Sequence, residues 1–446
     1  MSRIVVVGAG AAGTSAASNA KQFDRSHQVT LIGDFASVAY SPCGIPYVFG
    51  REIESMDKLF LQKPEFYTNE IGLDMHLSTL VESIDTSART VVCRGGETFA
   101  YDKLILCLGW SYVLPRIPGV ELDGVKFIKD IERAREIDRE LDSVDDVIVW
   151  KARPVGLELA TGLAHRGKRV TVIDDEPWLL AEFADPDVVK MGQESLESMG
   201  VKFMLSTTLK ELKGKDGKLV AAMTDHGEVA CQMAFMAADE KPNTALAESI
   251  GVKLGSGHGV IVDDMMRTNV PDVFAAGALV ETMQAVAGVP VSLLPSTYAY
   301  PQGRIAGTNA AGGELHARAA YFPWAMEVGK VQIGGVLITE TLAKALGRQY
   351  SLGEAKGITS ARYHPKVEPM NVKLLVDPKS REILGVEFYG GDGVKERSDF
   401  MAFAMRKHAT VDELANMENV YSPPIGALNE PIALAAKDAQ KRLSAH

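Results

Sequence analysis

The sequence is poor in cysteine, in long apolar runs and in clustered positive charge, and each shortage removes a class of function. Four cysteines, at 43, 93, 107 and 231, lie far apart, with no CxxC spacing and no histidine partner. That distribution excludes a disulfide framework and a zinc site. No stretch reaches the roughly 18 consecutive apolar residues of a membrane-spanning helix. The apolar run at the start, Ile4 to Val7, is short and leads into Gly8, Gly10 and Gly13, which is not the pattern of a secretory leader. Cytoplasmic residence is therefore the default expectation. A formal charge of −11, with no run of Lys and Arg among aromatics, excludes general nucleic-acid binding. What remains is a chain of 446 residues, 46% apolar, with no low-complexity tract. That length calls for several domains and suffices to enclose a large cofactor.

Two segments carry the same strand–turn–helix–strand order. In the first, the strand Ile4 to Val7 runs into Gly8-Ala-Gly10-Ala11-Ala12-Gly13, a small-residue helix and a second strand, Val29 to Ile32, with Asp34 just beyond it. Gly8 permits a tight turn, Gly10 admits a pyrophosphate against the backbone, and Gly13 allows helix and strand to pack closely. The helix amino terminus then faces the phosphates, and Asp34 stands where a carboxylate accepts hydrogen bonds from a ribose. A dinucleotide site is the reading, against a glycine-rich turn with no ligand.

The second segment begins about 143 residues later, with a strand over Asp146–Trp150, a helix over Val155–Arg166 and a strand over Arg169–Ile173 ending at Asp174. Its fingerprint is altered. Lys151 and Arg153 stand where the first two glycines belong, Pro154 follows, and only Gly156 is retained. Side chains there intrude on the space of a pyrophosphate, although their charge suits a phosphate held in another way. Retained and lost nicotinamide binding both remain open.

Further on, Tyr101 to Gly109 reads as a buried strand ending in glycine, and Arg267 to Gly277 as a turn followed by another such strand. Beyond Pro323 the pattern changes. Strands over Val372–Val376 and Ile383–Phe388 flank the turn Asp377-Pro-Lys-Ser380, a helix follows over Val394–Lys407, and Thr410 with Glu413 forms a capping box. This is a separate α+β unit.

Taken in this order, the motifs resemble the pyridine nucleotide-disulfide oxidoreductase superfamily over essentially the whole chain. The resemblance implies an α/β protein with two Rossmann-like domains and a carboxyl-terminal α+β dimerisation domain. An FAD domain over residues 1–112 and 263–322 would be split around an NAD(P)-binding-like domain over 113–262, with the dimerisation domain over 323–446. Its most specific segment, Tyr40-Ser-Pro42-Cys43-Gly-Ile-Pro-Tyr47, is similar to the single-cysteine branch that holds coenzyme A disulfide reductases, polysulfide reductases and NADH oxidases. Val48 rules out a CxxxxC pair.

The resemblance places Gly8, Gly10, Ala11, Ala12, Gly13, Asp34, Pro42, Val81, Gly109, Gly277 and Ala278 against FAD, and Gly156 and Asp174 against NADH or NADPH. It makes Cys43, Tyr421 and Tyr363 catalytic, with Tyr421 of Tyr-Ser-Pro-Pro crossing from the partner of a homodimer. No metal is implied. Departures are equally specific. Ala11 replaces a histidine common in the oxidases and peroxidases, which favours a thiol substrate. Gln22 and Asn429 replace basic residues common in the coenzyme A reductases, leaving Lys21 and Arg25 as substitutes. Ala278 replaces an acid on the flavin ribityl chain, and Asp239 replaces a glycine before Pro242-Asn243.

The residues suggest the same chemistry independently. A thiolate attacks a disulfide sulfur and expels the other half, and a neighbouring two-electron donor then frees the cysteine. A helix amino terminus after Cys43 is expected to lower its thiol pKa, whereas Cys93, Cys107 and Cys231 lie in apolar strand patterns and read as core. Three functions follow: an NAD(P)H-dependent reductase of a small disulfide, persulfide or polysulfide, coenzyme A-linked substrates among them; an oxidase passing electrons to oxygen through a Cys43 sulfenate; or a flavin-binding redox sensor with impaired nicotinamide turnover.

Overall fold

The computed structural model describes residues 1–293, 295–336 and 338–445. Its first sheet is parallel, in the order Val273–Ala275, Lys103–Leu106, Arg3–Val7, Gln28–Ile32, Asp74–His76. The central strands are continuous apolar runs because both faces are covered, Ile4 and Val6 by helix residues such as Ala16 and Ala306, and Val5 and Val7 by Ile84 and Val91. Of the buried strand expected over Tyr101 to Gly109, only Lys103–Leu106 pairs, since the chain turns away at Gly109, where φ is +64°.

The helix Ala11–Phe23 is built from small residues because another helix, Ser296–Ala310, lies directly on it. A Cβ on Gly303 would sit 2.2 Å from the Ala12 carbonyl oxygen, and one on Gly307 2.0 Å from that of Ala16. This contact joins the segment after Gly277 to the first glycine motif although nearly 300 residues separate them.

The second parallel sheet runs Lys202–Met204, Arg169–Ile173, Asp146–Trp150, Met233–Met236, Val125–Lys126. The helix Pro154–His165 packs on it through Leu157, Ala160 and Leu163, all buried. The third sheet is antiparallel, in the order Pro323–Val328, Val331–Val336, Ile383–Gly390, Pro369–Val376, Ser351–Ile358, and the helices Val394–Arg406 and Pro431–Ser444 cover it. The Thr410–Glu413 capping box forms as expected. Among the described residues, no helix is long and apolar enough to cross a membrane, and no cluster of side chains is suited to a metal ion.

A buried charge cluster joins the second and third sheets. Lys373, 6% exposed, reaches Asp185 at 2.9 Å and Asp187 and Glu340 at 3.0 Å. Asp185 also accepts from the backbone N–H of Glu340 and Thr341, and its own N–H donates to Glu387. Burial works to raise the Asp185 carboxyl, but hydrogen bonds from Thr341 and Lys373 hold it down to about 2. Glu387, wholly buried beside it, is pushed well above the carboxylate range by burial and by Asp185.

Replacing the one lysine leaves buried carboxylates facing each other, so Lys373→Met should cost about 3–5 kcal/mol of stability. Thermal unfolding at neutral pH should show the loss. The gap from wild type should narrow as pH falls through the ordinary carboxylate range toward the folded value of Asp185, because its stabilising ionisation disappears there. An unchanged melting temperature at pH 7 would refute this account of the cluster.

Candidate active site

The first glycine motif leaves room for backbone and not for side chains. Gly8 holds φ +109°, and its N–H donates to the Ile32 carbonyl at 2.7 Å. A Cβ on Gly8 would lie 2.1 Å from the Cys107 carbonyl oxygen, and one on Gly13 1.7 Å from that of Gly8. Gly10 differs: nothing lies within 4 Å of where its Cβ would be. It caps the helix that begins at Ala11 and Ala12, so an open volume faces unpaired backbone N–H groups, the environment a diphosphate requires.

Around this mouth, Asp34 stands exposed just past the strand Gln28–Ile32. Gly277, at φ +83°, comes so close to the helix that a Cβ would lie 2.7 Å from that of Ala12. Ala278 follows, half-buried. Buried Gln302 accepts from the Gly277 N–H at 2.9 Å and donates to the Thr282 hydroxyl at 2.9 Å. Gly109 has open space beside it. Val81 begins a small antiparallel sheet of Val81–Asp85, Thr90–Cys93 and Thr98–Ala100. These residues fit FAD: the turn, the vacant approach to Gly10 and the exposed acid occur together.

Pro42, Cys43 and Gly44 form one tight turn leading into a five-residue helix, Ile45–Phe49. Cys43 is the exposed cysteine of the four, and Cys93, Cys107 and Cys231 are buried, as their apolar surroundings implied. The expectation of a lowered Cys43 pKa is overturned. The sulfur is open to solvent on one side but enclosed by protein on the others; this desolvation, with the charges of Glu158 and Glu240, raises the thiol, and the backbone bond at the helix start only partly opposes them. A helix barely more than one turn long supplies too little dipole to reverse that.

Glu158 and Glu240 were not singled out from sequence. Burial pushes each up to about 7; the Tyr47 hydroxyl, 3.5 Å from Glu158 Oε1, offsets part of this for Glu158, and Lys129 and Arg153 do so for Glu240. A lone acid in the apolar helix Pro154–His165 was the available clue for the first. The second is hidden in Asp239-Glu240-Lys241, which reads as a solvated loop.

The two tyrosines expected to be catalytic, Tyr363 and Tyr421, lie together. Their hydroxyl oxygens lie 2.7 Å apart, with Tyr363 76% and Tyr421 43% exposed. Within one chain the charged neighbours of Cys43 are Glu158 and Glu240, and the tyrosines pair with each other. Lys21 is committed elsewhere, its ammonium donating to the carbonyls of Arg25 and His27 at 3.0 and 2.6 Å.

In the second motif the turn survives its substitutions. Lys151 takes φ +83°, its N–H donates to the Ile173 carbonyl at 2.8 Å, and a Cβ on Gly156 would lie 2.0 Å from the Lys151 carbonyl oxygen. Each feature repeats the first motif. The Lys151 side chain folds inward onto Asp175 and onto Asp174, 3.4 Å away. Asp174 is 2% exposed and accepts from the Ala152 and Glu176 N–H groups at 2.6 and 3.2 Å.

With this geometry in view, the sequence profile of the pyridine nucleotide-disulphide oxidoreductases matches residues 2–292, and that of their dimerisation domain residues 322–431. The chain belongs to that family. It is therefore an oxidoreductase that works with FAD and a pyridine nucleotide. It is 35% identical to an NADH oxidase of Methanocaldococcus jannaschii, over 99% of both chains. It is 30% identical to an NAD(P)H coenzyme A polysulfide/persulfide reductase of Pyrococcus horikoshii, over 98% of both. Among solved structures, the NAD-dependent persulfide reductase from A. fulgidus matches with a TM-score of 0.96 and 28% identity, covering 99% of this chain and 84% of that one.

Two outcomes follow for this pyridine nucleotide-disulphide oxidoreductase. Gly10→Arg fills a volume that no protein atom occupies, so the variant should fold with unchanged far-ultraviolet dichroism yet purify without the yellow flavin; stoichiometric FAD in it would overturn the placement of the site. Glu240→Gln removes a negative charge beside Cys43 and should shift the pH profile of its alkylation by iodoacetamide to lower pH. An unmoved profile would exclude Glu240 from the field at the sulfur.

Proposed function

We propose that this chain reduces a small disulfide, persulfide or polysulfide through Cys43, drawing electrons from NADH or NADPH. The observation that carries this reading is the exposure of Cys43 alone among the cysteines, at a turn whose following helix packs into the core of the second nucleotide unit. FAD, when bound, supplies the two-electron relay between nicotinamide and sulfur. The Cys43 thiolate attacks one sulfur of the substrate, a Cys43–S bond forms as the S–S bond breaks, and the other sulfur leaves as a thiolate. That leaving group needs a proton, and a phenol placed beside it is a suitable donor. The mixed disulfide then takes up two electrons and releases the second thiolate.

Tyr363 and Tyr421 are suited to supply that proton from the partner of a homodimer. Their hydroxyls are paired and exposed, on the domain that matches the family's dimerisation profile. Disulfide or polysulfide sulfur is the substrate class proposed; with Lys21 bound to its own helix end and Gln22 and Asn429 neutral, a coenzyme A carrier is not part of the proposal. The domain limits read from sequence, residues 1–112 with 263–322, 113–262 and 323–446, form part of this proposal.

A second reading, oxygen reduction through a Cys43 sulfenate, is favoured by the M. jannaschii relative and by the NADH oxidases of Streptococcus pneumoniae and Lactococcus lactis, 26% and 25% identical. Ala11 in the first glycine motif, in place of a histidine, argues for sulfur over oxygen.

Complementation tests the sulfur reading. Cys43→Ser and Tyr421→Phe should each lose disulfide and polysulfide turnover, the first by several orders of magnitude because a hydroxyl cannot form the mixed disulfide. Co-expressed, they should give mixed dimers with one intact site, Cys43 from one subunit facing Tyr421 from the other, and activity should return. No recovery in a verified mixed dimer would refute the crossed tyrosine. Faster NADH oxidation with oxygen than with any sulfur acceptor would establish the oxidase instead.

A further inference from the structure

Two departures from the family's glycine pattern, Arg153 and Asp239, meet in one ion pair. Arg153 occupies the position equivalent to Gly10, capping its helix with an extended backbone at φ −91° and ψ 175°, against −80° and −167° for Gly10. Where Gly10 leaves open space, Arg153 places a guanidinium. One of its amino groups donates to Asp239 and the other to Glu182 at 2.7 Å. Asp239 follows the strand Met233–Met236 and Glu182 follows Arg169–Ile173, so one side chain ties together two loops at the carboxyl ends of the sheet. Open α/β sheets bind dinucleotides in that crevice. The residue replacing a glycine and the residue replacing the glycine before Pro242-Asn243 are thus partners. Both carboxylates are more than half exposed, at 54% and 57% of their side-chain surface, and ion pairs of that exposure are weak.

We propose that Arg153 is the pyrophosphate ligand of the nicotinamide site and that Asp239 and Glu182 hold it in a resting latch, which the dinucleotide opens by exchanging carboxylate for phosphate. The proposal rests on the reading that this domain binds a pyridine nucleotide. A planar guanidinium matches phosphate oxygens as well as carboxylates, so the exchange replaces two weak, solvent-exposed bonds to separate side chains with two to the oxygens of one diphosphate. Lys151 takes no part, because its ammonium is held inward by Asp174 and Asp175. Asp239 serves as a positioning residue acting through Arg153.

The oxidised, FAD-loaded dimer and ADP-ribose provide the test, since ADP-ribose carries the pyrophosphate but no nicotinamide ring and cannot reduce flavin. Titration calorimetry should show binding to wild type, and Arg153→Ala should weaken it about tenfold or more, the loss of a charge-assisted bond. Asp239→Ala should tighten it severalfold by freeing Arg153. The double variant should match Arg153→Ala, and Arg153→Lys should recover part of the affinity. The salt dependence of binding should flatten in Arg153→Ala and not in Asp239→Ala. The flavin spectrum, which reports the other domain, should remain unchanged throughout. Equal or tighter binding by Arg153→Ala would make Arg153 an obstacle and overturn the proposal. A failure of every protein to bind ADP-ribose or to be bleached by NADH and NADPH would instead overturn the nicotinamide reading beneath it.

Discussion

A backbone contact between two glycines sets where the exposed sulfur of Cys43 lies. Gly50 ends the short helix behind Cys43, and a Cβ there would sit 2.7 Å from the Cα of Gly162 on the helix Pro154–His165. A Cβ on Gly162 would in turn meet the Pro46 carbonyl oxygen at 2.5 Å. The two helices therefore touch main chain to main chain, closer than any larger residue permits. That approach brings the Tyr47 hydroxyl to Glu158 and lets Arg166 donate to the Phe49 carbonyl at 3.3 Å. The cysteine turn precedes the second nucleotide unit by about 100 residues yet packs into that unit's core, through Ile45, Val48 and Phe49. The turn belongs by chain to the first unit, and this packing ties it to the second.

The same docking determines the electrostatics. Cys43 lies in the field of two carboxyls, each pushed up to about 7 by burial. One pKa unit corresponds to about 1.4 kcal/mol of difference between protonation states, so small changes nearby alter the charge on either acid near neutrality. Their charge in turn governs the thiol, since only the thiolate attacks sulfur and only the thiolate oxidises readily. The resting field favours the protonated thiol, which protects an exposed cysteine. Arg153 lies among the groups that lower Glu240, and Glu240 among those that raise Cys43. Charge at the nicotinamide loop is thereby felt at the sulfur.

What the sequence revealed and what it hid divide along a physical line. Both strand–turn–helix units, the hairpin around Asp377 and the capping box at Thr410 were legible because they depend on local geometry: a positive φ, a two-residue period, a side chain three positions away. Cys43 was legible through its neighbours in sequence. The sign of its pKa shift was not, because it is set first by burial in the folded protein and then by Glu158 and Glu240, which belong to elements more than 100 residues away. Asp174 was identified by its place after a strand, but its burial against Lys151 depends on a side chain that folds inward instead of out. The pairing of Tyr363 with Tyr421, across 58 residues, was equally invisible to spacing.

The altered second motif is instructive because its shape persists where its sequence does not. A lysine in the left-handed region costs roughly 1–2 kcal/mol relative to glycine, a cost that a decayed loop would shed by relaxing to another conformation. Lys151 remains at φ +83°, keeps the hydrogen bond to Ile173 and keeps Gly156 pressed against its carbonyl. Its ammonium is neutralised by Asp174 and Asp175 rather than left in the crevice. Arg153 is neutralised separately by Asp239 and Glu182. Each new charge thus comes with a partner of its own, and the backbone turn that a dinucleotide requires is undisturbed. Phosphate recognition has in this unit been shifted from bare main chain to a side chain, while the scaffold that presents it is kept.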